Sequence, residues 1–373
     1  MLNLQNNGVG NKTEDSSGLS KMLQTSTALT MLDLGSNSLG DLGPYIRSFG
    51  RGLSSNKTLI QLDVSNNRLL PDGIKVVCNA LKSCISMREL DLSYNSPGRE
   101  AALSAMLLVH PTLQSVGVVE KEPSTRSERT YWLDTRGKEA IGRALLDSTS
   151  KALQYLQCDV FALRENTRTL TWTSRAPCDA IVLAGVLRSN SVLTTLNVAQ
   201  GDIGDYEREE IGKSLLNNYA GRVGFCDVYG LKEGMGPSHV VDLKDKDQIR
   251  SKRSFTLFAG LLRANATLTC LTLSSIQPEH IDVLAEALAT NTTMQELKLE
   301  QPSKNAETAI TTLPVQQLNG STKADFIDLS EAGAKLSDGS GGFQPCHRHA
   351  CGVVGAILGA SANRVIRTLK INP

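Results

Sequence analysis

The chain has 373 residues, with 39 basic against 38 acidic side chains and a net charge of +1. This length allows one large domain or two ordinary ones. The balance of charge argues against a dedicated nucleic-acid binder, which normally has a basic excess, and against a polybasic membrane anchor. Only 4% of the residues are aromatic whereas 52 are leucine, and this combination indicates a repeat built on aliphatic layers.

Targeting signals are not evident in the sequence. No uncharged stretch has the character of a membrane span, and the first ten residues lack the positive and apolar regions of a signal peptide. The eight cysteines are widely spaced, and several lie within apolar patterns. Because reduced, buried thiols are typical of cytosolic proteins, we predict a cytoplasmic protein without a membrane span.

A repeated motif begins at the first residues of the chain. It has the pattern LxxLxLxxNxL, with copies at 29–40, 59–69 and 87–95 and a shortened copy at 2–9. The asparagines of these copies are 30, 30 and 28 residues apart, at Asn7, Asn37, Asn67 and Asn95. Leu-x-Leu has the period of a strand with one buried face. The asparagine follows where the chain turns, and a buried amide there can satisfy backbone groups.

Helical patterns lie between the strand motifs. Apolar residues recur at i, i+3, i+4 and i+7 over 74–81 and again over 281–288. The predicted helices end in an asparagine that precedes the next strand, at Asn56, Asn190, Asn265 and Asn291. One strand–helix unit cannot bury its apolar side alone, but stacked units bury a continuous core.

The motif resembles the leucine-rich repeat family. Its spacing of 28–30 residues resembles the ribonuclease-inhibitor subtype, in which each repeat is a strand followed by a helix. The resemblance is strong over 1–118 and continues in degenerate form to residue 373. It implies an α/β fold, namely a curved solenoid with a parallel inner β-sheet and outer α-helices.

The organisation of the chain changes after the regular repeats. A polar insertion at 119–138 separates the regular repeats (1–118) from degenerate repeats with long loops (139–373), which we predict to continue the same solenoid. Polar segments at 301–325 and 332–350 are predicted to be loops. Two stretches are related to each other, since EAIGRALL at 139–146 resembles EEIGKSLL at 209–216 and LAGVLRSN at 183–190 resembles FAGLLRAN at 258–265.

Few residue clusters in the sequence suggest a catalytic or metal-binding site. The ligand-rich cluster CHRHAC at 346–351 is a weak candidate for zinc, because six consecutive residues leave little chain to wrap a tetrahedral ion. A phosphate-binding loop around Lys213 is excluded because Glu207 stands where its first glycine would be. We therefore predict a protein that is not an enzyme and holds neither metal nor cofactor. The residues of the weak zinc candidate are Cys346, His347, His349 and Cys351.

The residues between the buried leucines are predicted to face the concave side of the sheet. Asp33, Asp63 and Asp91 would form an acidic column there, because adjacent strands lie about 4.8 Å apart. Aspartate at this position can also bond neighbouring backbone, so a structural role is the alternative to contact with a basic protein surface. The predicted partner-binding residues are Met31, Asp33, Gln61, Asp63, Glu89, Asp91, Asn197, Glu296 and Lys298.

The resemblance implies a non-enzymatic scaffold or recognition module that binds a protein through the concave sheet and projecting loops. Three alternatives are a GTPase regulator that resembles the GTPase-activating protein of the Ran pathway, the ligand-sensing repeat array of a larger receptor, and an enzyme with a convergent site in a pocket. The chain has neither the acidic tail of the first nor the nucleotide-binding module of the second. Strand motifs at both ends further predict a longer native protein, a partner that covers an end, or end-to-end self-association.

Overall fold

The computed structural model describes residues 1–10, 17–40, 43–96, 101–119, 133–201, 203–242, 251–274, 276–302, 308–322, 326–328, 348–360 and 368–370. The chain divides into two compact units, Met1–Leu193 and Thr194–Pro373, called the first and the second unit. The predicted polar insertion at 119–138 lies inside the first unit. None of the helices in the described residues is long and apolar enough to cross a membrane.

The first unit is built on a sheet whose strands follow one another in chain order. Strands β1 to β6 pair in parallel, and β7 turns back antiparallel to β6. The strands are β1 (Leu2–Asn3), β2 (Met31–Asp33), β3 (Gln61–Asp63), β4 (Glu89–Asp91), β5 (Ser115–Gly117), β6 (Tyr155–Gln157), β7 (Ala162–Leu163) and the later β8 (Thr169–Thr171). The helices are α1 (Gly18–Thr25), α2 (Pro44–Ser55), α3 (Pro71–Leu81), α4 (Ala101–Val109), α5 (Thr135–Asp147) and α6 (Pro177–Leu187).

The register of the sheet aligns the apolar positions of successive motifs. Leu32, Leu62 and Leu90 stand side by side, and none is more than 2% exposed. From α1 to α6, each helix packs against the next helix along the chain. The strand–helix alternation predicted over 1–118 is therefore confirmed as an α/β arrangement with a parallel sheet.

Buried asparagines join the ends of successive strands. Asn95 accepts hydrogen bonds at Oδ1 from the backbone N–H groups of Asn67 and Leu69, each at 3.0 Å. Its Nδ2 donates to the carbonyl of Leu92 in its own repeat (3.0 Å) and to that of Val64 in the preceding one (2.9 Å). One side chain thus satisfies backbone groups of two repeats, as the sequence predicts.

The turns that carry these asparagines share one backbone geometry. The residue before each asparagine has a positive φ, which a bulky side chain rarely adopts. These residues are Asn6 (55°), Ser36 (55°), Asn66 (50°) and Tyr94 (56°). Asn6 and Asn66 accept this conformation readily, whereas at Ser36 and Tyr94 the amide network holds a turn that the residue itself does not favour.

A second set of asparagines closes the turns from helix to strand. Asn56 Nδ2 donates to the carbonyl of Leu23 (2.7 Å), and its Oδ1 accepts from Thr58 (3.0 Å) and Leu59 (2.7 Å). The same pattern recurs at the other predicted helix ends, Asn190, Asn265 and Asn291. The prediction of asparagine as the last residue before each strand turn is confirmed at these positions.

The second unit contains a four-stranded sheet with one antiparallel edge. Strands β10, β11 and β12 pair in parallel, and β13 pairs antiparallel with β12, while β14 and β15 form a separate parallel pair. The elements are β9 (Thr195–Asn197), α7 (Asp205–Asn217), β10 (Ser238–Asp242), α8 (Lys252–Ala264), β11 (Cys270–Ser274), α9 (Ile281–Thr290), β12 (Glu296–Pro302), β13 (Thr308–Pro314), α10 (Val315–Leu318), β14 (Phe326–Asp328), α11 (Arg348–Ala360) and β15 (Thr368–Lys370).

The prediction of a loop over 301–325 is wrong for much of this segment. Strand β13 and helix α10 lie within it, because Thr311 and Leu313 alternate with more exposed neighbours and are 3% and 0% exposed. Pairing with β12 satisfies the backbone of this segment despite its polar composition. Of the loop predicted over 332–350, residues 332–347 lie outside the described residues, and α11 begins at Arg348.

The two related stretches found in the sequence form matching pairs of close helices. Gly142 on α5 lies against the backbone of α6, where an added Cβ would be 2.8 Å from the carbonyl carbon of Ile181. Gly212 on α7 meets α8 in the same way, with an added Cβ 2.4 Å from the carbonyl oxygen of Thr256. The resemblance between 139–146 and 209–216 therefore reflects one helix-packing arrangement that occurs in each unit.

Candidate functional site

An open groove of about 650 Å³ lies on the exposed face of the first unit's sheet. Successive strands supply its floor, because the residues on either side of each buried leucine point away from the helices. Six of the nine predicted partner-binding residues line it, namely Met31, Asp33, Gln61, Asp63, Glu89 and Asp91. The structure thus brings together the predicted residues of β2, β3 and β4.

The other three predicted residues lie in the second unit. Asn197 ends β9, whereas Glu296 and Lys298 lie on β12. The Lys298 ammonium is 3.5 Å from the Glu296 carboxylate, and both side chains are more than a third exposed. An exposed pair of this kind adds little to stability, and it neutralises the charge of β12 locally.

Each aspartate of the acidic column has a structural contact of its own. Oδ1 accepts the backbone N–H two residues later, at 2.9 Å for Asp33, 2.7 Å for Asp63 and 2.8 Å for Asp91. These bonds shape the ends of β2, β3 and β4, as expected if the aspartates have a structural role. The register still places the three carboxylates side by side in the groove, so the structural contact and a binding role are compatible.

The middle carboxylate of the column is electrostatically unfavourable. Burial raises the pKa of Asp63 above its ordinary value of 3.8, and the charges of Asp91 and Asp33 raise it further, while hydrogen bonds from Ser65 lower it. The charged form is therefore less stable in the folded chain than in the unfolded one. A cation placed over the column would relieve this cost.

The raised pKa of Asp63 gives a testable pH dependence. Because the folded state binds this proton more tightly than the unfolded state, the contribution of Asp63 to stability falls as the pH rises above 3.8. We expect Asp63→Asn to gain up to about 1 kcal/mol relative to wild type at neutral pH, because the amide keeps the acceptor oxygen. Thermal unfolding near pH 4 and pH 7 measures this gain, and an equal difference at both values would contradict the assignment.

Further residues of the groove were missed by the sequence prediction. Strand β6 contributes Tyr155 and Gln157, and Arg164 follows β7 at the far side. The Arg164 guanidinium donates from Nε (3.2 Å) and Nη2 (3.0 Å) to Oε1 of Gln157. The sequence contains a weak indication of strand β6, because Leu153 and Leu156 have the LxxL spacing of the earlier motifs.

The charge of the groove changes along its length. Its acidic end lies over β2 to β4, while the lining residues of β5 and β6 carry no formal charge. Gly117 on β5 takes the position that would continue the column, and an added Cβ there would be 2.6 Å from Asp91 Oδ1. A partner would therefore meet carboxylates at one end and neutral polar side chains, with Arg164 and Glu165 beyond them, at the other.

Two of the four residues of the zinc candidate, Cys346 and His347, lie outside the described residues. The other two, His349 and Cys351, lie in α11. Within the described ranges, no group of three or more His, Cys, Asp or Glu side chains is arranged to hold a metal ion.

The cysteines that the structure describes are free thiols. Cys78 is fully buried, and burial raises the pKa of its thiol to about 12. Cys226 is buried as well, and its thiol pKa is also raised to about 12, mainly by burial. Such thiols are protonated at neutral pH and are poor nucleophiles and metal ligands.

Comparison with known proteins gives one distant relative. No protein-family model matches the chain. The chain is 28% identical over 227 residues to the "NACHT, LRR and PYD domains-containing protein 3" of Macaca mulatta, a match that covers 54% of this chain and 20% of that protein. Among solved structures, "Leiomodin-1 Actin-Binding Site 2 (ABS2)" is similar at 13% identity and a TM-score of 0.25, over 54% of this chain and 87% of that one.

Proposed function

We propose that the chain is a leucine-rich-repeat array of the ribonuclease-inhibitor subtype and that it recognises another protein without catalysing a reaction. In this proposal the groove is part of the concave face of the array. The distant similarity to a protein whose name includes an LRR domain supports the repeat assignment. We also propose a cytoplasmic location, because the six cysteines whose side chains the structure describes are free thiols.

The observation that carries the proposal is the construction of the groove. Successive parallel strands place equivalent side chains in one open surface of about 650 Å³. Small-molecule sites are mostly apolar and enclose most of their ligand, whereas this groove is open and lined largely by polar side chains. An extended polar surface suits another protein, which can contact several strands at once.

We further propose that the partner presents a basic surface to the acidic end. Asp33, Asp63 and Asp91 lie side by side there, and Glu89 lines the same end. A cationic partner would lower the electrostatic cost of charging Asp63, and complementary charge speeds association and favours the correct partner.

The alternative of a ligand-sensing array within a larger receptor has one observation in its favour. The relative found by comparison carries an LRR region alongside NACHT and PYD regions, as its name states, and the match covers 20% of it. Sequencing of full-length transcripts separates the two proposals, because a receptor would encode further domains in the same reading frame.

A charge-neutralising variant tests the proposed function. We expect Asp33→Asn, Asp63→Asn and Asp91→Asn together to weaken partner binding about tenfold or more, because attraction to the basic surface is lost while each amide keeps its acceptor oxygen. The matched control is Asp72→Asn, Glu139→Gln and Asp147→Asn on α3 and α5, which removes the same number of negative charges from helices.

The measurement is affinity capture from native lysate followed by titration of the captured protein against each variant. The proposal requires that wild type and the helix control bind equally and that the groove variant binds weakly. Equal binding by all three proteins would contradict recognition through the acidic groove. Detection of turnover by the purified chain would contradict the assignment as a non-enzymatic module.

A further inference from the structure

His110 closes the turn between α4 and β5, at a position that asparagine holds in other repeats. Its Nδ1 accepts the backbone N–H groups of Thr112 (3.4 Å) and Leu113 (3.1 Å). Asn190 does the same through Oδ1, which accepts the N–H groups two and three residues later at 3.1 and 2.9 Å. At this position an imidazole, which can take up a proton, therefore stands in the place of an amide, which cannot.

The other ring nitrogen has no comparable partner. His110 is 3% exposed, and its Nε2 makes no hydrogen bond in the described part of the chain. Because Nδ1 accepts two hydrogen bonds, Nε2 carries the proton of the neutral ring. The residue lines a small cavity of about 10 Å³ together with Ser148, Ser150 and Ser189. That space suffices for about one water molecule.

The surroundings of His110 favour its neutral form. Burial is the main cause that lowers its pKa below the ordinary value of 6.5, and the charge of Arg88 lowers it further. The carbonyl groups of Leu81 and Cys84 act in the opposite direction, although neither completes a hydrogen bond with the ring. Arg188, which follows the last residue of α6, donates to the carbonyl of Ser148 (3.3 Å). Arg88 is the charged side chain whose effect on the pKa of the ring is resolved.

The turn that His110 holds leads directly into the groove. Gln114 and Ser115 follow Leu113 and line the groove, and their N–H groups both donate to the carbonyl of Arg88 (2.7 and 3.0 Å). Pro111, Thr112 and Leu113 are the residues that separate His110 from the groove residue Gln114.

We propose that His110 is a proton-sensitive latch that regulates the groove: the neutral ring holds the turn before β5, and the protonated ring releases it. This inference rests on the proposed function of the groove as a protein-binding surface. Protonation places a hydrogen on Nδ1, so the N–H groups of Thr112 and Leu113 lose their acceptor and face a donor instead. The stabilisation of the turn by the neutral ring is complete above pH 6.5, the ordinary pKa, and is lost as the pH falls through the lower pKa of His110 in the folded chain.

Two measurements on the intact chain test the latch itself. An NMR titration of wild type should give an imidazole pKa below 6.5 for His110, and it needs no variant. Amide hydrogen exchange, corrected for intrinsic rates, should show the protection of Leu113 falling several-fold, up to about tenfold, between about pH 7.5 and 5.5. The variant His110→Asn should keep constant protection, because its amide supplies the same acceptor and does not titrate.

A third measurement tests the link to the groove. Fluorescence anisotropy of a fluorescein-labelled peptide of alternating lysine and serine reports binding to the acidic end at the same two pH values. We expect wild type to lose about threefold more affinity on acidification than His110→Asn. Because Asp63 is present in both proteins, its effect on the pH dependence of binding is the same in each and cancels in the comparison.

The outcomes separate the two proposals. Unchanged protection of Leu113 overturns the latch whatever the peptide does. Loss of protection with the same acid effect on binding in both proteins overturns the regulatory link. A peptide that fails to bind at about pH 7.5 overturns the groove's function and its regulation together, while the exchange data still report on the turn.

Discussion

We expect Asn95→Ala to lower the free energy of unfolding by about 3–5 kcal/mol. The amide satisfies two backbone N–H groups, those of Asn67 and Leu69, and two carbonyls, those of Val64 and Leu92. Asn95 is 7% exposed and Asn67 is fully buried, so water cannot readily replace the lost bonds. Urea unfolding followed by circular dichroism measures the change.

Two controls separate the loss of the network from the loss of a side chain. Asn95→Asp keeps one acceptor oxygen but places a second carboxylate oxygen against the carbonyls of Val64 and Leu92, so its cost should be large at neutral pH and should fall when acid protonates the carboxyl group. Asn7→Ala removes the exposed first member of the series, which donates from Nδ2 to the carbonyl of Gln5 (2.9 Å), and should cost less than about 1 kcal/mol. Equal losses for Asn95→Ala and Asn7→Ala would contradict a stabilising role for the buried network.

The second large effect is expected at Gly212. Alanine favours a helix over glycine by about 1 kcal/mol, yet we expect Gly212→Ala to destabilise the chain by about 2–4 kcal/mol. The new Cβ would lie 2.4 Å from the carbonyl oxygen of Thr256 and 2.5 Å from the amide nitrogen of Leu257. Both atoms belong to the backbone of α8, so α7 and α8 would have to separate.

A helical glycine of the second unit provides a matched control. Gly355 lies on α11, and no atom of the described residues lies within 4 Å of an added Cβ there. Its replacement by alanine should therefore raise the stability by about 0.4–1 kcal/mol, through a smaller loss of backbone entropy on folding. Thermal unfolding of the two variants should shift in opposite directions. A gain in stability for Gly212→Ala would show that α7 and α8 are not in close backbone contact.

The regular part of the fold could be predicted because its determinants are local. Alternating leucines indicate the strands, and an asparagine at a fixed distance indicates the turn, so β2, β3 and β4 follow from the motif. The acidic column follows too, since parallel strands of equal repeat length bring Asp33, Asp63 and Asp91 into register. The same reasoning predicts the asparagine network and the helix-ending asparagines.

The remainder depends on contacts between residues that are distant in the sequence. Strand β13 is polar in composition and becomes half-buried because β12 offers an unpaired edge. Tyr155 and Arg164 join the groove because β6 pairs with β5 across a long insertion. His110 could not be related to the helix-ending asparagines, because their shared role is defined by hydrogen bonds and not by side-chain type.

Site-specific photocrosslinking tests the central claim, that the groove binds a protein, most directly. Tyr155 lines the groove and Tyr45 lies on α2, and both side chains are partly buried, so p-benzoylphenylalanine can replace either with similar disturbance. We predict that the probe at 155 forms a covalent adduct with a protein in native lysate, that neutralising Asp33, Asp63 and Asp91 abolishes this adduct, and that the probe at 45 gives none. An adduct at 45 with none at 155 would contradict the claim and would place recognition on the helices.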